Sequence, residues 1–167
     1  MTIEIASDRD LEIMQSQLGR PMRDVVGVAA RCVCGAPTVV ATKPRLADGS
    51  PFPTFYYLTH PGATAALSTL EANGFMVTEQ DKLAAQPEFA AAYLAAHESY
   101  IADRDRHGHV EEVDGISAGG MPTRVKCLHA LAAHSLAVGP GVNLVGDEAL
   151  AACSWSPSRC VCARETR

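Results

Sequence analysis

Every β-leaning run in the chain falls between residues 25 and 59, and from Pro61 onward the pattern is helical. Strands gathered in one block and followed by helices build an α+β fold, whereas a parallel βαβ sheet needs the two to alternate. Residues 25–30 (VVGVAA) and 38–42 (TVVAT) flank Cys34-Gly35-Ala36-Pro37, a turn signal between two β-branched runs, and read as a hairpin. Residues 44–53 are rich in Pro, Gly and Asp and form a loop, and residues 54–59 (TFYYLT) form a third strand. Before this block, Ser7 with Asp10 marks a capping box opening a helix through Leu11, Ile13, Met14 and Leu18, with Gly19 as its stop.

After the block, Pro61 starts a helix that Gly74 ends. Residues 78–106 hold one short helix and one long one beginning near Pro87. A loop over 108–122 leads to a helix over about 123–138, capped by Thr123 and stopped by Gly139-Pro140-Gly141, and a short helix covers 147–153. The expectation is one α+β domain over residues 1–153, a small antiparallel three-stranded sheet packed against five or six helices, with 154–167 as a flexible tail. A chain of 167 residues supports one core, burying roughly 70% of its unfolded surface. Aromatics are only 5% of the sequence, which favours packed helices over a sandwich or barrel.

Charge and targeting signals narrow the function classes. Net charge is −5 and the isoelectric point about 5.6, which argues against a nucleic-acid or anionic-membrane footprint. No apolar run is long enough to span a bilayer, and the start lacks a basic segment followed by an apolar one, so a cytoplasmic protein with reduced thiols is expected. Residues 25–47 and 115–146 contain no carboxylate, and they hold much of the Cys and His content.

Four groups could carry chemistry. In Gly119-Gly120-Met121-Pro122-Thr123-Arg124-Val125-Lys126-Cys127-Leu128-His129, a glycine pair leads into the expected helix. Gly119, Gly120, Arg124 and Lys126 then form an anion site, and the helix dipole with two cations lowers the pKa of Cys127 as nucleophile or metal ligand. On that helix His134 lies two turns after Cys127 on the same side, while His129 lies about 200° away. Tyr93, His97, Tyr100 and Arg104 form one stripe of the long helix. Either they are boundary residues with tips in water, or they line a pocket with His97 and Tyr100 in acid–base roles and Arg104 holding an anion. Cys32 and Cys34 point to one side of a strand, a spacing shorter than ordinary zinc knuckles, and His60 stands at a strand-to-helix junction. Finally, Arg31-Cys32-Val33-Cys34 recurs as Arg159-Cys160-Val161-Cys162, a short echo with no period behind it.

Arg31-Cys32, Gly35-Ala36-Pro37, Pro51-Phe52-Pro53-Thr54, Leu58-Thr59-His60-Pro61, Leu70-Glu71-Ala72-Asn73-Gly74, Ala96-His97-Glu98-Ser99-Tyr100 and residues 126–134 (KCLHALAAH) together resemble the bacterial domain-of-unknown-function family numbered five hundred and one. The resemblance covers about residues 15–150 and promises no activity. It implies a context beside a septum-formation gene, and a cysteine often stands in that family where this chain has His60. Such an exchange keeps zinc binding while removing a nucleophile. Cys34 and the tail cysteines fall outside the resembling pattern. The leading expectation is a zinc centre drawn from Cys32, His60, Cys127 and one of His129 or His134, acting on a small anionic substrate. The alternatives are a metal-free thiol enzyme using Cys127, with His97 or His129 as base, and a non-catalytic adaptor for a cell-division protein.

Overall fold

The computed structural model describes residues 2–159 and Cys162. The capping box is formed: the Ser7 hydroxyl accepts from Asp10 N–H, and the Asp10 carboxylate accepts from Ser7 N–H, opening α1 (Asp8–Leu18). The hairpin follows as β1 (Val25–Arg31) and β2 (Pro37–Thr42), and β3 (Tyr56–Leu58) completes an antiparallel sheet in the order β1-β2-β3. The helices are α2 (Pro61–Ala72), α3 (Phe75–Ala85), α4 (Pro87–Asp105), α5 (Leu128–Val138) and α6 (Leu144–Ala152), with a 3-10 turn at Glu111–Val113. This is the expected α+β arrangement.

Strand β2 is buried along its whole length because both faces of the sheet are covered. The period of two divides its side chains. Val39 and Ala41 join the main core with Leu67, Tyr100, Leu128 and Leu131, whereas Val40 joins Val28 of β1 and Met14 of α1 in a smaller cluster. Among the described residues no helix is long and apolar enough to cross a membrane.

The polar stripe of α4 is buried, so its tips do not reach water as boundary residues would: Tyr93 and His97 are at most 9% exposed and Tyr100 and Arg104 are inaccessible. Each tip meets a partner inside the fold. Tyr93 donates to the carbonyl of Arg124 at 3.0 Å, and His97 Nδ1 meets Ser117 Oγ at 2.8 Å. The Tyr100 hydroxyl accepts from the N–H groups of Phe55 at 2.7 Å and Tyr56 at 3.2 Å. Arg104 donates to the carbonyls of Val113, at 3.0 Å, and Ile116. The stripe therefore fastens β3 and the long connection 106–127 to the core.

Helix α5 begins at Leu128, not near Thr123. The N–H groups of Arg124 and Lys126 bond back to the carbonyls of Gly120, at 2.9 Å, and Gly119, at 2.8 Å, so the segment before the helix is a closed loop. Both glycines have positive φ, and a Cβ on Gly120 would stand 2.6 Å from the Arg124 carbonyl oxygen. Those two backbone N–H groups therefore already have carbonyl partners, while the Arg124 and Lys126 side chains belong to the same loop. After α6 the described residues return to the core. Trp155 is 5% exposed and joins the main core, and Val33 N–H donates to the Pro157 carbonyl at 2.9 Å.

Candidate functional site

The expected single centre is divided between two places. The first lies where the C-terminal turn of α2 meets the start of α5. Cys127 is the N-cap of α5, with extended backbone at φ −149°, and His129 is two residues into the helix. The 200° separation assumed both residues were helical. With Cys127 outside the helix that arithmetic lapses, and the two side chains turn to the same spot, Sγ lying 3.9 Å from His129 Nδ1. Glu71, near the end of α2, supplies the third group: its Oε1 accepts from Leu128 N–H at 2.7 Å and lies 3.2 Å from His129 Nδ1. A ligand atom from each of Glu71, Cys127 and His129 lies within 4.8 Å of the others, a grouping that could hold a metal ion.

The histidine tautomer follows from its other nitrogen. His129 Nε2 is 3.1 Å from both Ser68 Oγ and the Thr64 carbonyl oxygen; the carbonyl only accepts, so Nε2 carries a hydrogen. Nδ1 is then the atom that either binds an ion or holds a second proton between Glu71 and Cys127. With a proton there, contact with Cys127 and the Glu71 charge raise His129 to about 9, and contact with His129 holds the Cys127 thiol below its ordinary value against the opposing effect of burial. A cleft of about 290 Å³ opens beside the group, lined by Thr54, Tyr57, Leu58, Thr64 and Ala130 together with Cys127 and His129. Neither Arg124 nor Lys126 lines it.

The second place lies at the other end of α2. Cys32, His60 and Cys162 also bring ligand atoms within 4.8 Å of one another. His60 Nε2 is 3.2 Å from Cys162 Sγ, and Cys34 Sγ is 3.5 Å from Cys162 Sγ. His60 is the N-cap of α2, and its Nδ1 accepts from the N–H groups of Gly62 at 3.1 Å and Ala63 at 3.3 Å. A neutral imidazole accepting at Nδ1 carries its hydrogen on Nε2, which here faces Cys162. The spacing of Cys32, His60 and Cys162 permits the ligand role expected for Cys32 and His60, with Nε2 as the histidine atom that faces the sulfurs.

The remaining candidates lie apart. His134 is buried in the core of α5, its ring parallel to Tyr56 with centroids 5.6 Å apart, and its Nδ1 accepts from Asn143 Nδ2 at 3.2 Å. Burial depresses it to about 4, which suits a neutral core imidazole and not a partner of Cys127. His97, Tyr100 and Arg104 serve the connections described above. Sequence reasoning passed over Glu71, which stood in the resembling block Leu70-Glu71-Ala72-Asn73-Gly74 but has no ligand spacing to Cys127. The echo of Arg-Cys-Val-Cys was the only signal for Cys162; Cys160, in the same echo, lies outside the described residues.

The fold and these groups define a small α+β protein with, among its described residues, two clusters of thiol and imidazole, each beside a cleft or groove. Residues 28–151 match the family model described as protein of unknown function (DUF501), and the chain belongs to that family. The match spans Cys32, His60, Glu71, Cys127 and His129 and stops before Cys162. No curated protein and no solved structure matches the chain.

Proposed function

We propose that Glu71, Cys127 and His129 hold a zinc ion with its remaining position open to the cleft, and that the protein is a zinc-dependent enzyme acting on a small molecule there. The observation that carries this reading is the Nε2–H bond of His129 to the Thr64 carbonyl. It is the usual outer support of a ligating histidine, and it leaves Nδ1 aimed at the Glu71 and Cys127 atoms. The distances suit a tetrahedral ion. Ordinary zinc bond lengths put nitrogen and sulfur ligands about 3.6 Å apart and nitrogen and oxygen ligands about 3.4 Å apart. Here the pairs are 3.9 Å and 3.2 Å.

A thiolate, an imidazole and a carboxylate together suit zinc, and three protein ligands with an open position mark a catalytic rather than a closed structural site. The ion would supply a bound water of lowered pKa. The Thr64 carbonyl orients His129 through Nε2–H, and Leu128 N–H holds Glu71 in place. An anionic substrate group would meet the ion itself, since Arg124 and Lys126 stand outside the cleft.

A second reading is favoured by the 3.2 Å approach of Nδ1 to Glu71, which also suits a shared proton. The pair is then a metal-free thiolate and imidazolium, with Cys127 as nucleophile. Element analysis of untagged protein separates them. Zinc near one equivalent, lost in both Cys127→Ser and Glu71→Gln, supports the ion. Less than about a tenth of an equivalent of any transition metal overturns it, and alkylation of Cys127 well below pH 8 in that metal-free protein establishes the second reading.

A further inference from the structure

We infer that Cys34 and Cys162 form a reversible disulfide when the protein meets a hydroperoxide, and that this bond locks the C-terminal segment to the hairpin turn. The two sulfurs lie 3.5 Å apart although 128 positions separate them in sequence. A disulfide needs about 2.05 Å, so side-chain rotation at the exposed Cys34, next to Gly35 in the turn, closes most of the gap.

The surroundings distinguish the two thiols. Cys162 Sγ lies 3.2 Å from His60 Nε2, the ring nitrogen left over once Nδ1 caps α2. Cys34 lies on the open side. A groove of about 470 Å³, lined by Arg9, Asp10, Ile13, Cys34 and Cys162, gives a small oxidant access to both. The segment is already seated by Trp155 in the core, with its ring 5.2 Å from that of His60, and by the Val33 to Pro157 bond, so the disulfide joins parts that are in contact beforehand.

The chemistry balances in two steps. The Cys162 thiolate attacks the peroxide; an S–O bond forms, the O–O bond breaks, and the departing oxygen leaves as an alcohol or water after taking up a proton. Cys34 then attacks that sulfur; the S–S bond forms, the S–O bond breaks, and hydroxide leaves with the Cys34 proton as water. In sum, two thiols and one hydroperoxide become a disulfide, water and the reduced oxidant, and a dithiol reductant reverses the change.

The test uses the full chain treated with stoichiometric hydrogen peroxide, followed by peptide mapping without reduction. The expected result is a Cys34–Cys162 crosslink that Cys34→Ser and Cys162→Ser each abolish and that added dithiol removes. His60→Asn keeps a capping oxygen for α2 but loses the Nε2–H, and crosslinking should slow by roughly threefold or more. Linkage of either cysteine to Cys32, Cys127, Cys153 or Cys160 instead, sulfenic acid that persists without a crosslink, or thiols shielded from peroxide by a bound metal would each overturn the inference. Cys127→Ser should crosslink as the wild type does, so loss of zinc from the other cluster leaves this result unaffected.

Discussion

His134 makes acid stability a direct probe of the core. Its ring is inaccessible, lies against Tyr56 and Tyr100, and has no hydrogen-bond partner at Nε2 among the described residues. Nδ1 accepts from Asn143, so Nε2 carries the ring hydrogen and a proton added at Nδ1 would be a buried charge that also displaces that bond; burial therefore pushes the group down to about 4, whereas an unfolded histidine titrates near 6.5. Between those values the unfolded chain binds the proton and the folded one does not, so stability falls as pH drops through this window. Integrating the two titrations gives a loss of about 2 kcal/mol between pH 7 and pH 5, approaching about 3 kcal/mol below pH 4. His134→Gln removes the titration while keeping an oxygen that can accept from Asn143. It should cost stability at pH 7, because the ring packing is lost, yet the gap to wild type should narrow by about 2 kcal/mol at pH 5. Urea unfolding followed by the fluorescence of Trp155, the single tryptophan and a buried one, measures both proteins across the range. A gap that stays constant from pH 7 to pH 5 would refute the neutral buried imidazole.

Tyr100→Phe leaves the N–H groups of Phe55 and Tyr56 without their shared acceptor, and urea unfolding should register a loss of roughly 2–4 kcal/mol. Gly146→Ala would ordinarily gain helix propensity in α6, but here the new Cβ would stand 2.3 Å from both the Leu131 carbonyl oxygen and Ser135 Oγ of α5. The thermal midpoint should therefore fall, with a cost of about 2 kcal/mol or more. Asp10→Asn keeps an oxygen for the Ser7 cap but loses the charge paired with Arg31 at 2.7 Å. Since Arg31 holds the Asp10 carboxyl well below its usual range, the pair's contribution is present above about pH 4 and lost as pH falls toward the folded value. The variant should be about 1–3 kcal/mol weaker at pH 7, and its deficit should shrink in unfolding curves taken at pH 3.

Local chemistry was legible in the sequence wherever the causes were local. The Ser7–Asp10 box, the hairpin around Gly35, the Pro61 start and the Gly-marked helix stops depend on residues a few positions apart, and the segregation of strands from helices followed from patterning alone. The start of α5 escaped because its deciding bonds run from Arg124 and Lys126 back to Gly120 and Gly119, turning an apparent helix into a loop. That shift of a few residues moved Cys127 off the helix, and with it the angle between Cys127 and His129. The grouping of Glu71 with these two depends on α2 packing against α5, and the meeting of Cys34 with Cys162 depends on Trp155 returning the chain to the core. Sequence spacing sets which face a side chain takes on its own element. Only the packing of separate elements decides which side chains share a volume, because burial of apolar surface fixes that arrangement and the thiols and imidazoles are carried along with it.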